Sequence, residues 1–158
     1  MKHKILKTAA IAAIFFAVPT LVSAQTANHT VNVNVQAINV MSVGAGPTIQ
    51  ISTATAGSQP DANTGASTYA ITTNGSAKKI TAGTDVAMPT GLTLSLNMTA
   101  PTGGTSAGAV SLGTSAADMV TGISKKAESG IAMSYSAAAT VAAVVQNNAF
   151  VVTFTITN

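Results

Sequence analysis

The side chains that could carry acid–base or metal chemistry are few. After the first 24 residues they come down to one histidine, His29, and four carboxylates, Asp61, Asp85, Asp118 and Glu128. A nucleophilic triad needs a nucleophile, a base and an orienting acid. The only base on offer, His29, lies a few residues past Ala24, where a mature chain frays. Cysteine is absent, and serine and threonine are too numerous for one to stand out. A glycosidase-type pair would need two of the four acids to converge. All four sit in or beside turn-forming residues, where solvated acids are ordinary. One histidine without cysteine excludes the usual zinc sets. Asp61-Ala62-Asn63-Thr64-Gly65 resembles the opening of a calcium loop, but Thr72 stands at the twelfth position, where a bidentate glutamate belongs. An Asx-type turn is the simpler reading. Gly103-Gly104 lacks the lysine and helix of a phosphate loop. The expectation is therefore no enzyme, no catalytic residues, no metal and no cofactor.

The bulk composition says where such a chain would go. It has 158 residues, 47% hydrophobic and 7% charged, with a mean hydropathy of +0.43. Much of the hydropathy comes from the start. Lys2, Lys4 and Lys7 precede an apolar stretch from Ala9 to Val18, then Pro19 and the small residues Val22-Ser23-Ala24. This order reads as a secretory signal peptide over 1–24, cleaved before Gln25. A retained anchor is the weaker reading, because the apolar run is too short for a span. Beyond it the chain is expected to have no membrane span.

The three N-terminal lysines account for the whole net charge of +3. Past Ala24, Lys78, Lys79, Lys125 and Lys126 balance the four acids. Nothing in that balance points to nucleic acid. So few charges give little repulsion against self-association. An exported chain without cysteine must draw its stability from packing or assembly.

What must position these residues is a set of strands. Thr30-Val31-Asn32-Val33-Asn34-Val35-Gln36-Ala37 alternates with a period of two, with Val31, Val33 and Val35 on one face. The phase slips near Ala37, since Ile38 and Val40 fall on even numbers; a bulge or break there is expected. Thr48–Ser52 and Leu92–Thr99 alternate as well. At the C-terminus Phe150, Val152, Phe154 and Ile156 face one way and threonines the other. Such patterns mark half-buried strands of antiparallel sheets. Asn74-Gly75 predicts a two-residue hairpin that sets Thr73 against Ser76, Ile71 against Lys78 and Tyr69 across from Ile80. Shorter strands are expected at 109–113, 119–123 and 131–137. The one weak helical stretch is Ser136–Val145. Tyr69, Tyr135, Phe150 and Phe154 fall on apolar strand faces, as core residues do. The lysine pairs read as charges that keep strands and turns soluble. Asn28, Asn74 and Asn97 head glycosylation-type triplets, read as chance in a chain rich in Asn and Thr. About seven to nine strands without strand–helix alternation predict an all-β antiparallel sandwich.

A strand this strongly alternating, just past the cleavage site, with a polar lead and a phase break behind it, could act as an arm. Such an arm suits strand addition to an open sheet edge, and head-to-tail addition makes a filament. Signal peptide, then Thr30–Val35, the Thr73–Ile80 stretch and the closing Phe150–Thr157 strand together resemble the major subunits of bacterial fimbriae built by donor-strand exchange, the alpha-class (colonization-factor) type. The resemblance implies an immunoglobulin-like sandwich lacking one strand, completed by a neighbour's arm. On this chain the donor positions would be Val31, Val33 and Val35. Implied partners are copies of itself, with a periplasmic chaperone and an outer-membrane usher. Implied location is the extracellular space or cell surface, reached through the periplasm. Gln36-Ala37-Ile38 stands where those subunits often carry a proline.

The domain expectation is thus a signal peptide over 1–24, an N-terminal strand or donor arm over 25–43, and a sandwich over 44–158. The residues leave two alternatives open. Val31–Val43 could instead be the first strand or two of a self-contained sandwich. The chain could then be a monomeric secreted or periplasmic binding or adhesion module, using the loops Gln59–Ser67 and Pro101–Gly108.

Overall fold

The computed structural model describes residues 25–158, so the expected signal peptide over 1–24 lies outside the described residues. Contacts divide the chain at Asn34/Val35 into two units. Residues 25–34 carry no regular secondary structure.

From Val35 onward the chain builds nine strands and, among the described residues, no helix. They are β1 (Asn39–Val43), β2 (Asn63–Thr73), β3 (Lys78–Thr84), β4 (Leu92–Met98), β5 (Thr105–Ser106), β6 (Ala109–Ser111), β7 (Ala117–Ile123), β8 (Lys126–Ala139) and β9 (Val152–Thr157). One sheet has the order β1-β2-β8-β4-β6 and the other β5-β7-β3-β9. Every pairing is antiparallel. The result is a β-sandwich around one apolar cluster.

Alternation decides which side chains enter that cluster. Tyr69 and Ile71 of β2, Leu94, Leu96 and Met98 of β4, and Ile131, Met133, Tyr135 and Ala137 of β8 come from one sheet. Ile80 and Ala82 of β3 and Met119, Val120 and Ile123 of β7 come from the other. Each large apolar side chain buried in this way contributes roughly 1.5–3 kcal/mol. Met119 and Val120 are neighbours and both buried, although successive side chains of a strand point to opposite faces. The register between β3 and β7 slips twice, at Lys78/Ile80 and Ile80/Thr81. A bulge turns one extra side chain inward.

Three local expectations are corrected. First, Asn74-Gly75 is a corner between sheets, not a hairpin. Thr73 pairs with Asn39 and Lys126, Ile71 with Met41 and Glu128, and Tyr69 with Val43 and Ile131. Ile80 pairs with Val120 and Ile156 in the opposite sheet. The positive φ falls at Ala77 (53°) instead. The Asn74 amide is engaged elsewhere: Nδ2 donates to Gln36 O at 2.7 Å and Oδ1 accepts from Ile38 N at 2.8 Å. Second, Thr48–Ser52 joins no ladder. Ile49 and Ile51 still pack on the core. Gly65 makes room for this segment, since a Cβ there would lie 2.4 Å from Pro47 Cβ. Third, Ser136–Val145 is not helical. β8 runs on to Ala139, because Leu92–Leu94 of β4 pair with Ala137–Ala139.

The ladder of β1 begins at Asn39, beyond the phase slip. Its inward residue is Met41; Ile38 and Val40 are exposed.

Candidate functional site

The four carboxylates have separate duties. Asp85 Oδ1 accepts from Val151 N at 2.9 Å and so fixes the start of β9. Asp118 pairs with Lys79 at 3.0 Å. Glu128 accepts from Thr102 N at 3.0 Å. Asp61 is exposed just before β2, with its backbone N–H on Thr53 O. His29 lies in the N-terminal unit. Among the described residues, no three His, Asp or Glu side chains are grouped to hold a metal ion. The calcium-loop candidate does not form a loop past Ala62. Asn63 opens β2, donates from Nδ2 to Gln50 O and accepts from Thr64 N.

The tyrosines are core residues. Tyr69 donates its hydroxyl to Thr99 O at 2.5 Å. Burial, and secondarily the Glu128 charge, push its pKa up to about 12. Burial also raises Tyr135. Phe150 and Phe154 differ, because both are only partly buried.

That difference locates the site. β9 is an edge strand whose only partner among the described residues is β3. Apart from that ladder, no backbone hydrogen bond joins Val152–Thr157 to another described segment. Phe150, Val152, Phe154 and Ile156 point inward, yet each is only partly buried. In β3, the next strand, Ile80 and Ala82 are fully buried. Among the described residues the core is thus incompletely covered along the β9 edge. A cavity of about 1480 Å³ opens there, with Leu94 and Tyr135 on one side, Phe150 and Phe154 on another, and Ile49 and Ile51 from the segment after β1. That volume exceeds the ~300–1,000 Å³ of small-molecule sites.

The rim continues into Thr140–Ala149, a stretch without charge. Its first half is anchored: Thr140 N donates to Gly91 O, and Val141 N to Gln59 Oε1, both at 2.8 Å. Val141, Val144 and Val145 are exposed.

The sequence-predicted positions Val31, Val33 and Val35 are 69%, 81% and 73% exposed. Residues 25–38 form no strand. Three exposed, alternating valines close together in sequence make an apolar surface. Of the two candidate loops, Gln59–Ser67 is a loop only as far as Ala62, because Asn63–Ser67 belong to β2, and it lies at the end where β2 starts; Pro101–Gly108 contains β5 and lies toward the other end, tied through Thr102 to Glu128. They do not converge on one surface. The groove itself escaped sequence reasoning. The signal was present in the closing strand, whose inward face carries two phenylalanines that no pattern assigned to a partner.

No protein-family model, curated protein or solved structure matches this chain. Among the described residues, no helix is long and apolar enough to cross a membrane.

Proposed function

We propose that this protein is a structural subunit of an extracellular or cell-surface filament, exported through the periplasm and assembled by β-strand addition, without catalysis. The observation that carries the reading is the β9 edge, unpaired among the described residues, over an incompletely covered core. An extended segment laid along that edge would gain main-chain hydrogen bonds while its alternate side chains filled the groove. The segment Thr30–Ala37 has the required pattern, with Val31, Val33 and Val35 as the inserted residues and Asn32 and Asn34 facing water. Supplied by a second copy, the strand turns each subunit into both donor and acceptor, and the contact propagates. On this reading the sandwich is immunoglobulin-like with one strand missing. Its partners are copies of itself, with a chaperone and an usher handling the open groove before assembly.

Deleting Gln25–Gln36 tests the proposal. The truncated chain should fold and fail to form filaments under electron microscopy. A peptide spanning Thr30–Ala37 should bind it and raise its stability. Filaments formed without the arm, or a full-length mature protein that stays a monodisperse monomer at high concentration, would overturn the reading.

A further inference from the structure

Lys78, Lys125 and Lys126 stand at one end of the sandwich, and Asp61 and Asp85 at the other. At one end Lys78 opens β3, Lys126 opens β8, and Lys125 sits in the turn between β7 and β8 with its N–H on Gly75 O. Glu128 is the nearby counter-charge, and Lys79 is taken by Asp118. At the other end Asp85 follows the last residue of β3 and Asp61 precedes β2. The lysines past Ala24 are all at the first end, so among the described residues no lysine stands at the end of Asp61 and Asp85. β3 has seven residues, or ~23 Å of strand. That exceeds the Debye length of ~8 Å at physiological salt, so the ends act as separate poles.

The N-terminal segment joins the sandwich at the lysine pole. Asn74, at the end of β2, binds the backbone of Gln36 and Ile38 there. β9 runs from the aspartate pole, where Asp85 holds Val151, to the lysine pole, where Asn158 accepts from Lys78. Whichever way an arm lies along β9, its Gln36 end brings the donor's lysine pole with it. Lying antiparallel, it sets those lysines against the acceptor's aspartates. Lying parallel, it sets lysines against lysines.

We infer that successive copies of this chain meet through a charge-paired junction, Lys78, Lys125 and Lys126 of one against Asp61 and Asp85 of the next. This inference rests on the strand-addition reading. The groove supplies the affinity. Lys125, Asp61 and Asp85 are exposed, and Lys78 and Lys126 partly so; these charges steer encounter and reject the reversed insertion, since surface pairs add little binding energy but set orientation and on-rate.

The test is the assembly rate of the full mature chain, followed by light scattering at about 0.01 M and about 1 M salt, between which the screening length falls roughly tenfold. The double variant K125E/K126E should assemble at least ~3-fold more slowly at low salt and like the unmodified chain at high salt. Adding D61K to that variant should recover most of the rate. Thermal unfolding by circular dichroism checks that each variant is folded. In parallel, the Thr30–Ala37 peptide is titrated into arm-deleted chain with and without K125E/K126E, and should bind both equally. If the peptide binds neither, the strand-addition reading fails. If it binds both while K125E/K126E assembles at the unmodified rate in low salt, the junction alone is overturned.

Discussion

The side-chain carbonyl of Asn74 accepts a hydrogen bond from the backbone N–H of Ile38 at 2.8 Å, across 36 residues of sequence. With Nδ2 on Gln36 O and the Asn74 N–H on Ile38 O, this one residue fixes where the N-terminal segment leaves the sandwich. It also accounts for Asn74-Gly75 not being a hairpin: the same side chain that favours a tight turn here clamps the segment leading into β1.

Replacing that clamp with alanine should therefore be felt at the start of β1. Asn74→Ala is expected to destabilise the chain by about 1–2 kcal/mol, seen as a lower urea midpoint. Limited proteolysis should cut faster near Gln36.

Gly65→Ala probes the segment after β1. A Cβ would lie 2.4 Å from Pro47 Cβ, so Pro47 and Ile49 must lift from the inner face of β2. Overpacking of this kind costs about 1–3 kcal/mol. Chemical denaturation should show that loss, and arm-peptide affinity should change because Ile49 lines the groove.

The arm peptide itself gives a quantitative check. At a free concentration of about 100 times its Kd, it should stabilise arm-deleted chain by about 2.7 kcal/mol. A Val33→Asp peptide should bind at least ~10-fold more weakly, because its carboxylate would enter an apolar groove unpaired. Asn32→Asp, on the face toward water, should bind nearly as well as the parent peptide.

Tyr69 sets an alkaline limit. Its pKa is pushed up to about 12, above the ordinary tyrosine value of 10.0. Below pH 10 the phenol is protonated in folded and unfolded chains alike, and its contribution is fully present. As pH rises from 10 toward 12 the unfolded chain releases the proton first, so stability falls across that window. Tyr69→Phe should remove this part of the pH dependence, measured as urea midpoints from pH 9 to pH 12.

The sheet faces were legible in the chain because a period of two is a local property. Leu94, Leu96 and Met98 could only share a side, and so could Phe150, Val152, Phe154 and Ile156. The poverty of reactive groups was equally plain, and the structure adds that Asp85, Asp118 and Glu128 each hold a neighbour. Which strand lies beside which was not legible. β2 and β3 are joined by four residues yet sit in different sheets, since ladder partners are chosen by long-range burial rather than by the nearest turn. The paired neighbours Met119 and Val120 depend on bulges against β3, and the extended chain at Thr48–Ser52 finds packing without a ladder. The uncovered edge of β9 is a property of the assembled sandwich alone. An alternating strand reads the same whether one edge or both are paired, because the pattern records which side faces the core and carries no information about hydrogen bonding in the plane of the sheet.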